Sequence, residues 1–535
     1  MPPKKKRGGV RLLRDHELHK EVIHHPPVEK LLTRKIALER AEFASTFRGP
    51  TRVEARYKKT TLVRVCADII GTHPEIILRQ AETWDLLPNH LKVSVRSEAR
   101  RHHASELQPL LIDKLFIEHD MQSLDLDHLS RVTGKFLRSL HSRLDRSILT
   151  SLSLVENEAI GVSPLASFLK GCNNLERLNL KRCYNITNDV FKDVAKSLAN
   201  LTYLNVSFTR VTGSAIALIY ASAPKLAIVK MAGCALCDGR RVRYVFPHPS
   251  DNLLSLKLRH VTLNAQDIHH ILVSFPKLQN FDCSAAPSSS SINLATFIKM
   301  PHRSELRKLN LSNLPNLRLN SVNLLHDFFK VHDKLEHIYL TGIRVNFATA
   351  IPRSSLARLK TLFLPELGCF SPDFLPTCLE FATNLTYLDL SKTLIPFTFF
   401  SNDDMKPLVC NVPHLQILSL ENASINDLST MTIARIHTLR SLFLRNTLIS
   451  TFGARTIVFA CPWLEELDVS SCRNIPLRER RTLLQTLRLE FWERLEQAHE
   501  TGLAMDDKGS IEFVVEKLYS EGEEREGLIY QWDDG

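Results

Sequence analysis

No run of eighteen apolar residues occurs in this 535-residue chain, which excludes an ordinary membrane-spanning helix. The opening residues, MPPKKKRGG, are charged and hold no apolar core, so they do not read as a secretory signal. A Gly-rich phosphate loop, a nucleophile elbow and an HExxH zinc helix are all missing, and no catalytic activity is expected of the chain. The eleven cysteines are odd in number and scattered, so they are read as reduced thiols of an intracellular, soluble protein rather than as a disulfide frame. The single CxxC, Cys234 to Cys237, has no second pair at zinc spacing, and adjacent histidines such as His102-His103 point apart on a helix. Neither a metal nor any other cofactor is expected.

Charge is present but separated. The formal net charge is +11. Residues 1–60 carry 16 Lys and Arg against 7 Asp and Glu, whereas residues 490–535 carry 4 against 14. The basic end has no aromatic-lined motif, so any contact with nucleic acid is expected to be nonspecific. Within it, Lys4, Lys5, Lys6 and Arg7 form the compact basic run that a nuclear import receptor grips, which makes a nuclear location the expectation.

One phrase dominates the rest: a leucine, two free residues, an apolar residue, one free residue and another apolar residue. It occurs thirteen times, starting at residues 149, 175, 201, 226, 253, 278, 306, 335, 359, 385, 415, 439 and 464, at spacings of 24 to 30. That is the period of leucine-rich repeats. A unit of one strand and one return segment cannot bury its own apolar face, so the units must stack into an α/β solenoid with a parallel sheet on its concave face. Cys172 and Cys461 stand three residues before the first leucine of their units, and Cys183 and Cys472 follow the strand. These units resemble the cysteine-containing class of leucine-rich repeats common in ubiquitin-ligase substrate receptors.

The segments divide as follows: a basic arm at 1–57, a helical module at 58–103, an N-terminal cap at 104–148, repeats at 149–475, a capping helix at 476–500 and an acidic tail at 501–535. In the module, Thr61 to Ile70 sets Leu62, Val65, Cys66, Ile69 and Ile70 on one helical stripe. Leu87, Leu91 and Val95 make a second stripe behind the helix-starting Pro88. The first run resembles the BC box that docks on Elongin C, and the second resembles a cullin box. The pair, placed before a solenoid, is similar to the von Hippel-Lindau/SOCS-box type leucine-rich-repeat receptors. That resemblance implies Elongin C contact through Leu62, Val65, Cys66 and Ile69, and a cullin facing Leu87, Pro88, Leu91 and Val95. It also implies a non-catalytic subunit that binds a protein substrate on the solenoid. The polar run SEARRHH after Val95 departs from the pattern, and a nuclear scaffold without a ligase, its helices serving only as a cap, is the alternative.

Free strand positions face away from the core. The wall they line is expected to be basic with interspersed aromatics in its middle and acidic in its last repeat, where Glu465, Glu466 and Asp468 stand. Lys257, Arg259, Arg307, Lys308, His337 and Tyr339 are the candidate substrate contacts.

Overall fold

The computed structural model describes residues 69–79, 81–235, 242–287, 292, 294–299, 304–314, 317–319, 322–341, 344–345, 351–363, 380–392, 412–434, 436, 438–461, 463–480 and 482–487. All lie in one compact unit, Ala55–Leu489. Among the described residues there are sixteen strands: β1 (Ser123–Asp125), β2 (Ser151–Ser153), β3 (Arg177–Asn179), β4 (Tyr203–Asn205), β5 (Ile228–Lys230), β6 (Ser255–Lys257), β7 (Asn280–Asp282), β8 (Lys308–Asn310), β9 (Arg318–Leu319), β10 (His337–Tyr339), β11 (Arg344–Val345), β12 (Thr361–Phe363), β13 (Tyr387–Asp389), β14 (Ile417–Ser419), β15 (Ser441–Phe443) and β16 (Glu466–Asp468). Fourteen form a single parallel sheet in chain order, while β9 and β11 pair separately. Thirteen of the fourteen are the expected strands. The other, β1, carries Met121-Gln-Ser-Leu-Asp-Leu, the same phrase with methionine in its leading position, and it pairs with β2 in register.

Each strand of the large sheet is three residues long because only its central side chain is needed in the core. Leu124, Leu152, Leu178, Leu204, Leu256 and Leu309 are all fully buried. Beyond the strand the chain must turn at once, and it does so the same way each time. The third residue after every described strand exit of the large sheet has a positive φ, from His128 at 63° to Ser471 at 64°. Eleven of these twelve residues are not glycine. A left-handed backbone costs an ordinary residue about 1 kcal/mol or more. The compensation is an amide aimed at the next repeat: from His128 to Asn446, these N–H groups donate to the following unit's carbonyls at 2.6–3.0 Å. Gly233 is the exception because a Cβ there would stand 2.7 Å from the ring of Phe208.

Where the third strand residue is Asp or Asn, its side chain supplies an acceptor that starts this turn. Asn205, Asn310, Asp282 and Asp389 each take the N–H two residues on at 2.9–3.2 Å. Where the chain next passes beneath the strand, small polar side chains join neighbouring units: the thiols of Cys183, Cys234 and Cys472 donate to the carbonyls of Leu154, Val206 and Leu444. Burial pushes the Cys172, Cys183 and Cys461 thiols up to about 12, so they remain protonated and inert.

The first edge of the sheet is closed by a side chain. In the interior, the amide following each strand donates to the carbonyl of the next unit's third strand residue, as Leu126 does to Ser153 at 2.9 Å. Among the described residues no strand pairs with β1 on its outer side. The carbonyl of Asp125 accepts instead from Arg100 Nη2 at 2.9 Å, while Nη1 holds its carboxylate at 2.9 Å. Replacing Arg100 with Met should lower stability by about 1–3 kcal/mol, since one backbone and one charged bond are lost together. Urea unfolding would measure it, and an unchanged midpoint would remove the edge-closing role.

His332 is buried with Nε2 3.0 Å from the Phe297 carbonyl, and burial pushes its pKa down to about 4. The unfolded imidazole titrates near 6.5, so protons bind the unfolded chain preferentially. Stability should therefore be steady above about pH 7 and decline between 6.5 and 4. In His332→Phe the decline across that window should be visibly shallower; equal slopes would show that other groups govern it.

Candidate functional site

Two surfaces carry the residues singled out above. The first is helical. Residues 69–72 are helical, followed by Ile76–Arg79, Ala81–Leu86, Asn89–His103 and Pro109–Phe116. Gly71 lets the first turn lie against the long helix, since a Cβ there would fall 2.5 Å from Glu98 Cβ. Pro88 opens that helix, its carbonyl taking the amides of Leu91 and Lys92. Ile77, Trp84, Val95, Ala99, Leu111, Ile112 and Leu115 form the interior.

The polar row beside the apolar stripe has a structural use, and it runs on past Val95. Lys92, Arg96 and Arg100 recur every fourth residue and so share one side of the helix. Arg96 Nη2 is 2.5 Å from Glu118, and Lys92 Nζ is 3.6 Å from the same carboxylate. Lys92 and Arg96 both sit 5.9 Å over the Trp84 ring, and Arg100 sits 5.2 Å over Phe116. Charged heads and aromatic faces thus do the packing that an apolar continuation would otherwise perform.

Leu62, Val65 and Cys66 lie outside the described residues, as do Lys4, Lys5, Lys6 and Arg7. Ile69 is exposed, Leu87 and Leu91 are half-buried, and Pro88 is exposed. Val95 is 3% exposed, a core side chain of the module. The apolar residues that do face outward include Leu78, Leu86, Val93 and Leu110, with Leu86 at 84% exposure. They were missed because the stripe rule selects the side of a helix that packs inward.

The second surface is the open face of the sheet, lined by first and third strand residues. Arg177 lies 4.5 Å over the Tyr203 ring, and Lys230 is 4.8 Å from that ring with Nζ 3.0 Å from its hydroxyl. Lys257 is half-buried; burial, then the ammonium of Lys230, pushes its pKa down, with Lys308 adding to the effect and Asp282 opposing it. Lys308 stands 5.0 Å from the Tyr339 ring. A groove of about 160 Å³ is lined by Lys257, Asp282, Lys308, Asn310 and Tyr339. His337 Nδ1 is 2.8 Å from Thr361 Oγ1, and burial together with Lys308 pushes this imidazole down.

Lys257, Lys308, His337 and Tyr339 are strand residues, but Arg259 and Arg307 fall outside the strands. Arg259 is two residues past β6, where its carbonyl takes the Gly233 amide. Arg307 precedes β8 and binds Glu336 at 2.7 Å, whose other oxygen holds Lys360 at 2.6 Å. Beyond Tyr339 the face becomes aromatic. Tyr339 and Phe363 are 4.5 Å apart between ring centroids, and Phe363 and Tyr387 are 4.4 Å apart.

A larger groove, about 350 Å³, follows this ridge, bordered by Thr341, Tyr387, Asp389, Ser391, Lys392, Ser419, Glu421 and Phe443. The Tyr387 hydroxyl is pushed up to about 12, first by burial and then by the charge of Asp389 and of Tyr339, Glu421 and Glu466. Among the described residues, no group of three or more His, Cys, Asp or Glu side chains is placed to hold a metal, and no helix is long and apolar enough to cross a membrane. The face offers charge and aromatic area for recognition.

No protein-family model matches the chain, and no curated protein matches it significantly. Among solved structures, the chain is similar to one from the complex of Rad7 and Elc1 in yeast, with 14% identity and a TM-score of 0.48, covering 80% of this chain and 95% of that one. An internalin (InlF) from Listeria monocytogenes aligns at 14% identity and a TM-score of 0.32, over 71% of this chain and 87% of the internalin. A leucine-rich-repeat protein of Leptospira interrogans aligns at 15% identity and a TM-score of 0.33, over 72% of this chain and 91% of the other. The parallel sheet in chain order, its repeating phrase and its recurring exit turn make the protein a leucine-rich-repeat solenoid of the α/β class.

Proposed function

We propose that the protein is the substrate-recognition subunit of an Elongin C and cullin ubiquitin ligase. The observation that carries this reading is the ordered pair of boxes, Leu62 to Ile70 and then Leu87 to Val95, directly ahead of the solenoid. Leu62, Val65, Cys66 and Ile69 would meet Elongin C, while Leu87, Pro88 and Leu91 face a cullin and Val95 holds the second helix from within. The exposed Leu86 and Val93 extend the apolar area available beside Pro88. The solenoid would hold a protein substrate on its open face, with Lys257, Lys308, His337 and Tyr339 as contacts and Arg259 and Arg307 at the margin. The chain contributes no chemistry; it raises the local concentration of a substrate lysine at the ligase.

A second reading has its own support. Arg100 closes the sheet edge, so the helices have a capping use that needs no ligase, as in a nuclear scaffold. Pull-down separates the two. Wild-type protein should capture Elongin C, and Leu62→Asp should lose it, because an unpaired buried charge costs several kcal/mol. Retained solubility and an unchanged unfolding midpoint of the variant would exclude misfolding as the cause. Failure of the wild-type protein to associate would leave the scaffold reading.

Nuclear location rests on Lys4 to Arg7. Changing all four to Ala should shift a tagged protein toward the cytoplasm in cell imaging; an unaltered distribution would dismiss this run as the signal.

A further inference from the structure

The open face is divided by charge in a way the fold does not require. On β3 to β8, Arg177, Lys230, Lys257 and Lys308 have no carboxylate at ion-pair distance among the described residues. Elsewhere cations such as Arg96, Lys114, Lys277 and Lys334 each hold one. Beyond the Tyr339–Phe363–Tyr387 ridge the sign reverses. Asp389 and Glu421 border the larger groove, and neither holds a cation at ion-pair distance among the described residues. Lys392, on the exit turn, also borders that groove.

The charge of Asp389 is not needed by its turn. Asn205 and Asn310 perform the same task in their own repeats with a neutral oxygen, at 3.2 and 3.0 Å against 2.9 Å for Asp389. Asp125 uses its charge on Arg100, and Asp282 lies beside Lys257 and Lys308. Asp389 also accepts the Ser391 hydroxyl at 2.5 Å, but among the described residues it has no cation at ion-pair distance to neutralise its charge.

We propose that the open face binds an extended polypeptide segment with acidic residues at one end, an apolar or aromatic middle and basic residues at the other. The acidic end lies on Lys257 and Lys308, the middle crosses the aromatic ridge, and a Lys or Arg enters the groove beside Asp389, Glu421 and the Tyr387 ring. This inference rests on the reading that a protein partner occupies that face. Strand spacing sets the length. From β6 to β13 there are five steps through the sheet, and from β8 there are three. At about 4.8 Å per step and about 3.3 Å per extended residue, the two charged ends stand about four to seven residues apart. Aromatic faces beside carboxylates favour a cation that sheds part of its water, and the screened ends make the attraction salt-sensitive.

The test uses two fluorescein-labelled peptides of identical composition, EEEGFGKKK and EKEGFGKEK, titrated against the full chain by anisotropy at low salt. Equal composition cancels nonspecific attraction to the chain's own charged ends. The segregated peptide should bind at least tenfold more tightly. Asp389→Asn with Glu421→Gln should abolish that preference, and so should Lys257→Ala with Lys308→Ala; the Asn already serves the same turn in sister repeats, so the first pair should fold. Equal binding of the two peptides, or a preference untouched by either double variant, would overturn the inference. Elongin C capture by the same proteins separates the outcomes. Its persistence without peptide preference removes only this inference, and its absence with preference intact removes only the ligase reading.

Discussion

Everything in this solenoid hangs on the left-handed residue three positions past each described strand exit of the large sheet. A three-residue strand makes few ladder bonds, and stacking such strands would be weak if the chain left the sheet in a variable direction. The exit turn removes that freedom. It extends backbone pairing past the strand and points the next residue, often Cys or Thr, back under the sheet, where Cys183 donates to the preceding repeat and Thr447 meets Cys472 of the next. The strain is local and repeated, and so is its compensation, which is how a one-dimensional array accumulates stability from nearest neighbours.

The same turn explains what could be read from the sequence. Apolar positions had to recur because the central strand residue is always buried, and the phrase located thirteen strands without any geometry. β1 escaped because methionine replaced the leading leucine while the buried Leu124 and Leu126 kept their places. The left-handed position itself was invisible. It is filled by His, Glu, Arg, Phe, Ala, Lys, Ser and Asn as well as Gly, so no residue type marks it. Arg259 and Arg307 are a different case: their basic character was evident, but Arg259 stands two residues past β6 and Arg307 one residue before β8, outside the three-residue strands themselves.

In the helical module, polarity misled where periodicity did not. SEARRHH looked like the end of an apolar stripe, yet the buried Ala99 continues it, and the neighbouring row of Lys92, Arg96 and Arg100 lays its long stems over Trp84 and Phe116. Counting apolar residues cannot detect packing of this kind, because the aromatic partners are supplied by different helices. Exposed Leu86 and Val93 are the complementary case, apolar side chains that the module leaves in water.

The guanidinium of Arg100 has a further effect at the scale of many molecules. A parallel sheet made of near-identical repeats presents an outer strand that could template a strand from another copy, and open edges of this sort are where β-proteins join into fibres. Here the carbonyl of Asp125 that a foreign strand would seek is already occupied. The helix Asn89–His103 thus stands as a doorstop on the β1 side of the sheet, the side on which an array of repeats would otherwise be open to extension.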